Sequence, residues 1–261
     1  MRLALSAVFL GEQQEMVLRW RKYLEEHMHR PVEFVQRRTY RELVDMMSQG
    51  TLDGGWVCGA PYVRFKSVQR LLAVPVWKGK PLYRSYLIVP ARDTTTRSIA
   101  DLRNRIFAYS DPESNSGHYV VLGDIVNLGG NPDTFFKKTI YTYAHRKSVE
   151  AVANGLVDGA RVDGYIYDQL NRFNPELIAK TRLVDKSAEF GFPPMVTRAN
   201  LPETEFIALR DTLLNMQNNT EGRALLNAMG LDSFTAGDDQ LFDGVAKLIR
   251  KVQSARAKYA E

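Results

Sequence analysis

Residues 43–59 read LVDMMSQGTLDGGWVCG, and residues 148–164, about 105 positions later, read SVEAVANGLVDGARVDG. The residues that recur at matching positions include Val44, Gly50, Asp53, Gly54 and Gly59, which return as Val149, Gly155, Asp158, Gly159 and Gly164. Each pattern predicts an amphipathic helix that ends at a glycine able to take the left-handed conformation, followed by a turn with an aspartate and a buried strand. Two copies of one helix–strand unit predict two similar lobes.

Strand and helix signals alternate in both halves of the chain. This order predicts an α/β fold of two lobes, each a mostly parallel sheet flanked by helices. The helical closing segment, from residue 203 onward, has no sheet of its own to cover, so we expect it to return to the first lobe. The lobes are therefore predicted over residues 1–89 with 191–261 and over 90–190. This division implies two hinge crossings, near Pro90 and Gly191, and a ligand cleft between the lobes.

The repeat also nominates residues for a ligand site, because ligands of open α/β sheets bind outside the carboxyl ends of the strands. The segments that follow the two repeated strands are residues 58–62 and 163–167, which bring in Cys58 and Asp163. Tyrosine offers a rigid wall with a polar tip, although it is equally common in cores. The tyrosines close to predicted strand ends are Tyr62, Tyr83, Tyr86, Tyr165 and Tyr167.

The segment YSDPESNSGHYV, residues 109–120, predicts an anion site. A strand ends at Ser110, and Ser114, Asn115, Ser116 and Gly117 open a helix. Hydroxyls, an amide and unpaired backbone N–H groups at a helix N-terminus together bind anions. The alternative is a plain N-cap, in which one side chain satisfies a backbone donor.

Two histidines can donate to the same anion. His145 follows the predicted strand TIYTYA, residues 139–144, and is the better placed of the two; a satisfied surface histidine is the alternative. His118 lies one residue into the predicted helix. His27 and His29 are two positions apart and point to different faces of a helix, so they make a poor metal pair.

Composition restricts the partners. The chain has 35 Lys and Arg against 30 Asp and Glu, a formal charge of +5 and a pI near 9.2, which favours anionic partners. The basic residues are scattered and form no nucleic-acid motif, so a small anion explains the excess. A single cysteine, Cys58, excludes an intramolecular disulfide and a four-thiolate metal site. We predict neither cofactor nor metal, and no apolar run is long enough for a membrane span.

The first residues, MRLALSAVFLG, imitate a signal peptide. Their apolar run is short and passes at once into an amphipathic helix pattern. We therefore predict a first strand over residues 2–10.

The chain resembles the phosphonate-type substrate-binding proteins of ABC importers. The resemblance rests on SDPESNSGHYV, on FFKKTIYTYAHRKSVEAVANGLVDGARVDGYIYD, on RPVEFVQRRTYRELVDMMSQGTLDGGWVCGAPYV and on FPPMVTRANLP. The shared pattern is a DP-x-S-x-SG helix start, a strand ending in histidine and AVANG-x-VD. It implies the two-lobe type II periplasmic-binding-protein fold. It also implies a monomeric periplasmic or lipid-anchored receptor that hands phosphonate, phosphate, phosphite or a related oxyanion to an ABC permease.

The resemblance also implies roles for individual residues. Ser114, Asn115 and Ser116 would hold the anion's oxygens, with Asn115 where a threonine often stands, and His145 would bond it from the same lobe. The segment after Trp56 would form the opposite wall.

Members of the family that bind aminoalkylphosphonates present carboxylates to the ammonium group. This chain has Tyr165 and Pro193 near those positions, so it provides less well for an aminoethyl tail. Asp163, two residues before Tyr165, would accept a proton from a partly protonated anion or pair with Arg161.

Cys58 leaves a second function open. A buried cysteine is usually a small hydrophobic residue, but a thiolate also binds soft centres such as trivalent arsenic. Some receptors that resemble this family bind arsenite and signal to a histidine kinase. The resemblance therefore implies, as the alternative, a periplasmic sensor that binds arsenite or a related oxyanion with Cys58 as a ligand and signals to such a kinase. An enzyme using Asp111, Ser116 and His118 is not expected, because these residues crowd one helix start and leave no separate base and orienting group.

Overall fold

The computed structural model describes residues 1–5 and 14–260. The strands are β1 (Arg2–Leu5), β2 (Glu33–Val35), β3 (Gly54–Trp56), β4 (Gln69–Val76), β5 (Leu82–Tyr83), β6 (Ser85–Pro90), β7 (Ile106–Tyr109), β8 (Lys138–Tyr141), β9 (Gly159–Asp163), β10 (Thr181–Lys186), β11 (Phe190–Gly191), β12 (Met195–Arg198) and β13 (Ser233–Thr235). The α-helices are α1 (Gln14–Met28), α2 (Tyr40–Ser48), α3 (Gly59–Arg64), α4 (Val120–Asn127), α5 (His145–Ala153), α6 (Gly164–Phe173), α7 (Pro175–Ile178), α8 (Glu203–Leu214), α9 (Thr220–Met229) and α10 (Asp243–Ala260). The predicted first strand is observed over β1, and its remainder lies outside the described residues. Within those ranges, no helix has the length and apolar character of a membrane span.

The chain divides into two compact units. The first comprises Met1–Leu82 and Gly191–Asp243, and the second comprises Tyr83–Phe190 and Gly244–Glu261. The chain thus passes between the units three times, whereas the sequence predicts two crossings. The first crossing precedes β6 instead of following it at Pro90. The predicted ligand cleft between the lobes stays a prediction.

The last helix departs most from the predicted boundaries, because α10 belongs to the second unit. Its apolar face carries Val252 into a core cluster with Phe107 and Val121, and Leu248 packs against the same cluster. Gly123 on α4 makes room for this packing, since a Cβ there would lie 2.3 Å from Leu248 Cδ1. A helix with one apolar stripe must be covered, but periodicity does not say by which sheet.

Both large sheets are mixed, so the prediction of mostly parallel sheets is wrong. The first sheet has the order β13-β4-β12-β3-β1-β2, in which β1 pairs parallel with β2 and β3, and the other pairs are antiparallel. The second has the order β10-β6-β9-β7-β8, in which β7 pairs parallel with β8 and β9, and the other pairs are antiparallel. A third, two-stranded sheet pairs β5 with β11, which directly precede β6 and β12 in the chain.

The first unit is organised around Trp56, the last residue of β3. Its ring lies 6.3 Å from Trp20, 6.3 Å from Phe192 and 6.2 Å from Phe234 between centroids. This aromatic core is fully buried around Trp56. It fixes the end of β3 and therefore the segment that carries Cys58.

The helix in each copy of the repeat ends in the same way in both units. Helix α2 is followed by Gly50 with φ +69°, and α5 by Gly155 with φ +68°. In each copy the residue after the glycine donates its N–H to a carbonyl five positions earlier, over 2.9 Å. This bond defines the Schellman motif, which satisfies carbonyls at the helix end and needs a residue with positive φ.

The repeated aspartates clamp neighbouring strands. The carboxylate of Asp53 accepts the backbone N–H of Arg2 over 2.8 Å, and that of Asp158 accepts the N–H of Ile106 over 2.8 Å. Each aspartate returns its own N–H to the carbonyl of the same partner, over 2.9 and 2.8 Å. The repeat is therefore an architectural device that ends a helix and sets the strand beside it.

Candidate functional site

The predicted anion-binding segment forms a π-helical turn, Asn115–Tyr119, directly before α4. Tyr119 donates its N–H to the carbonyl of Ser114, five residues earlier, over 3.0 Å. The hydroxyl of Ser114 accepts the N–H of Gly117 over 3.0 Å, so Ser114 is the N-cap. Isolated π-turns are rare and occur frequently at functional sites. We refer to Ser114, Asn115, Ser116 and Gly117 as the cradle.

Strands β5 and β6 are joined to the cradle by hydrogen bonds. The amide nitrogen of Asn115 donates to the hydroxyl of Tyr83 over 3.0 Å, and the hydroxyl of Ser85 donates to the carbonyl of Ser116 over 2.7 Å. Sequence reasoning missed Ser85. Its only signal was a polar residue at the start of the apolar strand SYLIVP, and antiparallel pairing of β6 brings it to this place.

Two hydroxyls of the site have no hydrogen-bond partner among the described residues. These are the side chains of Ser110, which is 2% exposed, and Ser116, which is fully buried. A buried polar group without a partner is unusual and costs free energy, so it calls for an explanation. Ser110 also explains the glycine at 117, because a Cβ there would lie 1.9 Å from Ser110 Oγ.

His145, the first residue of α5, completes the donor set. Its Nδ1 accepts the backbone N–H of Asp163 over 3.2 Å, so the ring proton of neutral His145 is on Nε2. Burial lowers the pKa of His145 to about 4, which keeps the ring uncharged at neutral pH. Its Cε1 lies 3.2 Å from the position of a Cβ on Gly117. The ring is therefore a neutral N–H donor beside the cradle.

Asp163, the last residue of β9, is buried next to His145 and caps α6. Its carboxylate accepts the N–H groups of Tyr165 over 2.8 Å and Ile166 over 3.3 Å. Burial raises the pKa of Asp163 to about 7, although these two bonds act in the opposite direction. The alternative of an Asp163–Arg161 pair is wrong, because Arg161 pairs with Asp124 and Asp185, both over 2.7 Å.

Cys58 occupies, in the first copy of the repeat, the position that Asp163 occupies in the second copy. It is the buried N-cap residue of α3, just as Asp163 is the N-cap residue of α6. Its side chain makes no capping bond. Within residues 1–5 and 14–260, no three His, Cys, Asp or Glu side chains gather to hold a metal ion. Cys58 is also the only thiol in the sequence. A lone thiolate provides only part of an arsenite site, so the arsenite-sensor alternative is not favoured.

The predicted tyrosines divide between the units. In the second unit Tyr86 packs edge-on to Tyr167 with centroids 5.8 Å apart, and burial raises the pKa of Tyr86 to about 12. Tyr165 is buried directly after Gly164, and burial raises its pKa. In the first unit Tyr62 donates its hydroxyl to Asp239.

The structure thus brings the cradle, His145 and Asp163 together in one unit, and it places Cys58 and Tyr62 in the other. His118 stabilises the turn that forms the cradle. Its Nδ1 donates to the carbonyl of Pro112 over 2.7 Å, and its Nε2 lies 3.3 Å from the hydroxyl of Tyr141.

The chain is similar to known proteins in sequence and in fold. Residues 11–242 match the family model for the phosphonate periplasmic substrate-binding protein of ABC transporters. The phosphonates-binding periplasmic protein of Escherichia coli is 32% identical over 166 residues, which cover 62% of this chain and 48% of that protein. The chain therefore spans about half the length of this curated relative.

Two solved structures share the fold over nearly the whole chain. The binding component of a phosphonate ABC transporter from Pseudomonas aeruginosa has a TM-score of 0.89 and 22% identity, covering 98% of this chain and 87% of that one. PhnD1 from Prochlorococcus marinus, solved with methylphosphonate, has a TM-score of 0.86 and 16% identity, covering 97% and 98%. The predicted α/β type II periplasmic-binding-protein fold is confirmed.

Proposed function

Because this chain belongs to the family of periplasmic substrate-binding proteins of phosphonate ABC transporters, we propose that it binds a small phosphorus oxyanion and delivers it to an ABC permease. The ligand class comprises phosphonate, phosphate, phosphite and related anions. The proposed ligand-binding residues are the cradle and His145, with Asp163, Tyr86 and Tyr165 beside them and Cys58 and Tyr62 contributed by the first unit.

One observation carries the proposal. The hydroxyl of Ser116 is buried without a hydrogen-bond partner in the described part of the chain, one residue from Gly117, which the neutral ring of His145 approaches. A bound anion would accept hydrogen bonds from these groups. Hydrogen bonds to a charged acceptor contribute about 1.5 to 3 kcal/mol each. Neutral donors of this kind hold an anion without a covalent step, which suits capture and release.

The proposed function also implies where in the cell the protein works. The family is periplasmic. We infer that the protein works outside the cytoplasm as a monomer, either exported or lipid-anchored, and meets its permease at the membrane surface.

Titration calorimetry with phosphate, phosphite and methylphosphonate tests the function. We expect at least one of them to bind, and we expect His145→Ala to weaken that binding by at least tenfold. His27→Ala, which removes a histidine from α1, serves as the matched control and keeps the wild-type affinity. Failure of the folded wild-type protein to bind any of the three anions would overturn the proposed function.

A further inference from the structure

Tyr143 is held in a backbone conformation that its side chain disfavours. Its φ is +59°, in the left-handed region that glycine and asparagine take readily and that is a true outlier for a bulky residue. Such conformations persist only where the surroundings impose them, and they cluster at functional sites. The position therefore needs a reason to carry a tyrosine.

The turn around Tyr143 is firmly anchored. Thr142 donates its N–H to the carbonyl of Tyr109 over 2.9 Å, and its hydroxyl lies 3.2 Å from the same carbonyl and 2.7 Å from the hydroxyl of Ser148. Tyr143 precedes His145 by two residues, and an extended chain covers at most about 7 Å in two residues. The strained tyrosine is thus fixed close to the proposed anion donor.

Tyr143 extends a row of aromatic rings that begins in the core. Its ring lies 6.1 Å from that of Tyr141, which lies 5.4 Å from that of Tyr109, between centroids. The hydroxyl of Tyr141 contacts His118, in the turn that forms the cradle. Tyr109 is buried, whereas Tyr141 is 38% exposed and Tyr143 is half-buried. We refer to Tyr141 and Tyr143 as the tyrosine face.

We propose that the tyrosine face contacts the organic substituent of a bound phosphonate, so that the preferred ligands carry an apolar or aromatic group on phosphorus. This inference rests on the proposed function and deepens it. Phosphate and phosphite have no such substituent and would engage only the cradle and His145. An aromatic face attracts flat or apolar groups through area burial and ring packing. A ligand contact of this kind explains why a tyrosine stands where glycine or asparagine would be less strained.

The inference is tested by the affinities of phenylphosphonate and phosphite in two variants. Tyr143→Asn suits the left-handed backbone and removes the ring. We expect it to weaken phenylphosphonate binding roughly 3- to 10-fold and to leave phosphite binding unchanged. Tyr143→Phe keeps the ring and should keep both affinities. Tyr143→Gly also suits the left-handed backbone and should repeat the selective loss, which covers the case in which Tyr143→Asn does not fold.

Asn104 provides the control for the backbone. It also has φ +59° and lies before β7, at the opposite end of that strand from Ser110. Asn104→Tyr should lower the melting temperature by the strain of a left-handed tyrosine, without changing either affinity. Tyr143→Asn should then match or exceed the wild-type melting temperature.

The other outcomes separate the two proposals. An equal loss of both ligands in Tyr143→Asn, or no loss of phenylphosphonate, would overturn the tyrosine face and leave the proposed function standing. Wild-type binding of phosphite without phenylphosphonate would do the same. Wild-type protein that binds neither these ligands nor phosphate and methylphosphonate would overturn both proposals.

Discussion

The backbone N–H of Asp163 donates a hydrogen bond to Nδ1 of His145 over 3.2 Å. This bond joins the end of β9 to the start of α5 and selects the tautomer in which Nε2 can donate. Burial shifts the pKa values of the two side chains in opposite directions: that of His145 falls to about 4, and that of Asp163 rises to about 7. The contact therefore selects the nitrogen that can donate, and burial of the two side chains sets a pH response.

The two groups make opposite contributions to stability. Between its usual pKa of 6.5 and about 4, His145 binds a proton only in the unfolded chain, so its contribution is complete above pH 6.5 and is lost as pH falls towards 4. Between its usual 3.8 and about 7, Asp163 holds a proton only in the folded protein. Its contribution is complete below pH 3.8 and is lost as pH rises through 7. The two effects oppose each other between about pH 4 and 6.5.

Asp163→Asn should expose the histidine's effect, because asparagine still caps α6. We expect its free energy of unfolding to rise with pH between about 4 and 6.5 more steeply than that of the wild type, by up to about 1.4 kcal/mol per pH unit. His145→Gln should shift the slope the other way. Urea unfolding at several pH values measures both, and slopes equal to the wild type would contradict the assignment.

Substitutions of Ser114 and Ser116 should differ in their effect on stability, although both should weaken anion binding. Ser116→Ala removes a buried hydroxyl that has no partner among the described residues, so stability should be unchanged or higher, while anion affinity falls about 10- to 100-fold. Ser114→Ala removes the acceptor of the Gly117 N–H and should cost about 1 kcal/mol of stability as well as affinity. Thermal unfolding and calorimetry on both variants check the contrast. A Ser116→Ala variant with full affinity would remove that hydroxyl from the site.

The helix ends within the repeat could be predicted because they depend only on residues close together in the sequence. Gly50 and Gly155 are the helix stops that the sequence predicts, with positive φ in both copies. Partners across the sheet were not predictable, because antiparallel pairing of β6 brings Ser85 to the cradle from 31 residues away. Helix α6 was missed as well. Its start, GYIYDQL, directly follows a buried strand, and Asp163 at the junction is both the last residue of the strand and the cap of the helix.

The repeated aspartates should contribute independently. Asp158→Ala leaves the N–H of Ile106 without its acceptor and should cost about 1 to 3 kcal/mol. Asp53→Ala should cost more, because Asp53 also pairs with Arg198 over 3.3 Å. The two sites share no partner in the described structure and lie in separate units, so the double variant should show additive losses. Hydrogen exchange should accelerate at Ile106 only in variants that lack Asp158, and protection there after Asp158→Ala would refute the clamp.

Gly117 should tolerate no side chain while Ser110 is present. A Cβ at 117 would lie 1.9 Å from Ser110 Oγ and 2.8 Å from Ser110 Cβ, and only 3.2 Å from His145 Cε1. Gly117→Ala should therefore cost about 1 to 3 kcal/mol and abolish measurable anion binding, because the cradle and the histidine must move apart. Gly244→Ala in α10 is the matched control, since its nearest atom there is 3.5 Å away. It should be neutral or stabilising by up to about 1 kcal/mol.

The steric cause can be isolated by a second change. Ser110→Gly removes both atoms closest to the new methyl group, so Gly117→Ala with Ser110→Gly should recover part of the lost stability. In a double-mutant cycle the recovery appears as a coupling energy of about 0.5 to 3 kcal/mol. Affinity should return only in part, because His145 Cε1 remains 3.2 Å from the methyl position. Strict additivity of the two substitutions would show that Ser110 does not limit residue 117, and the close approach of the two elements would then need another cause.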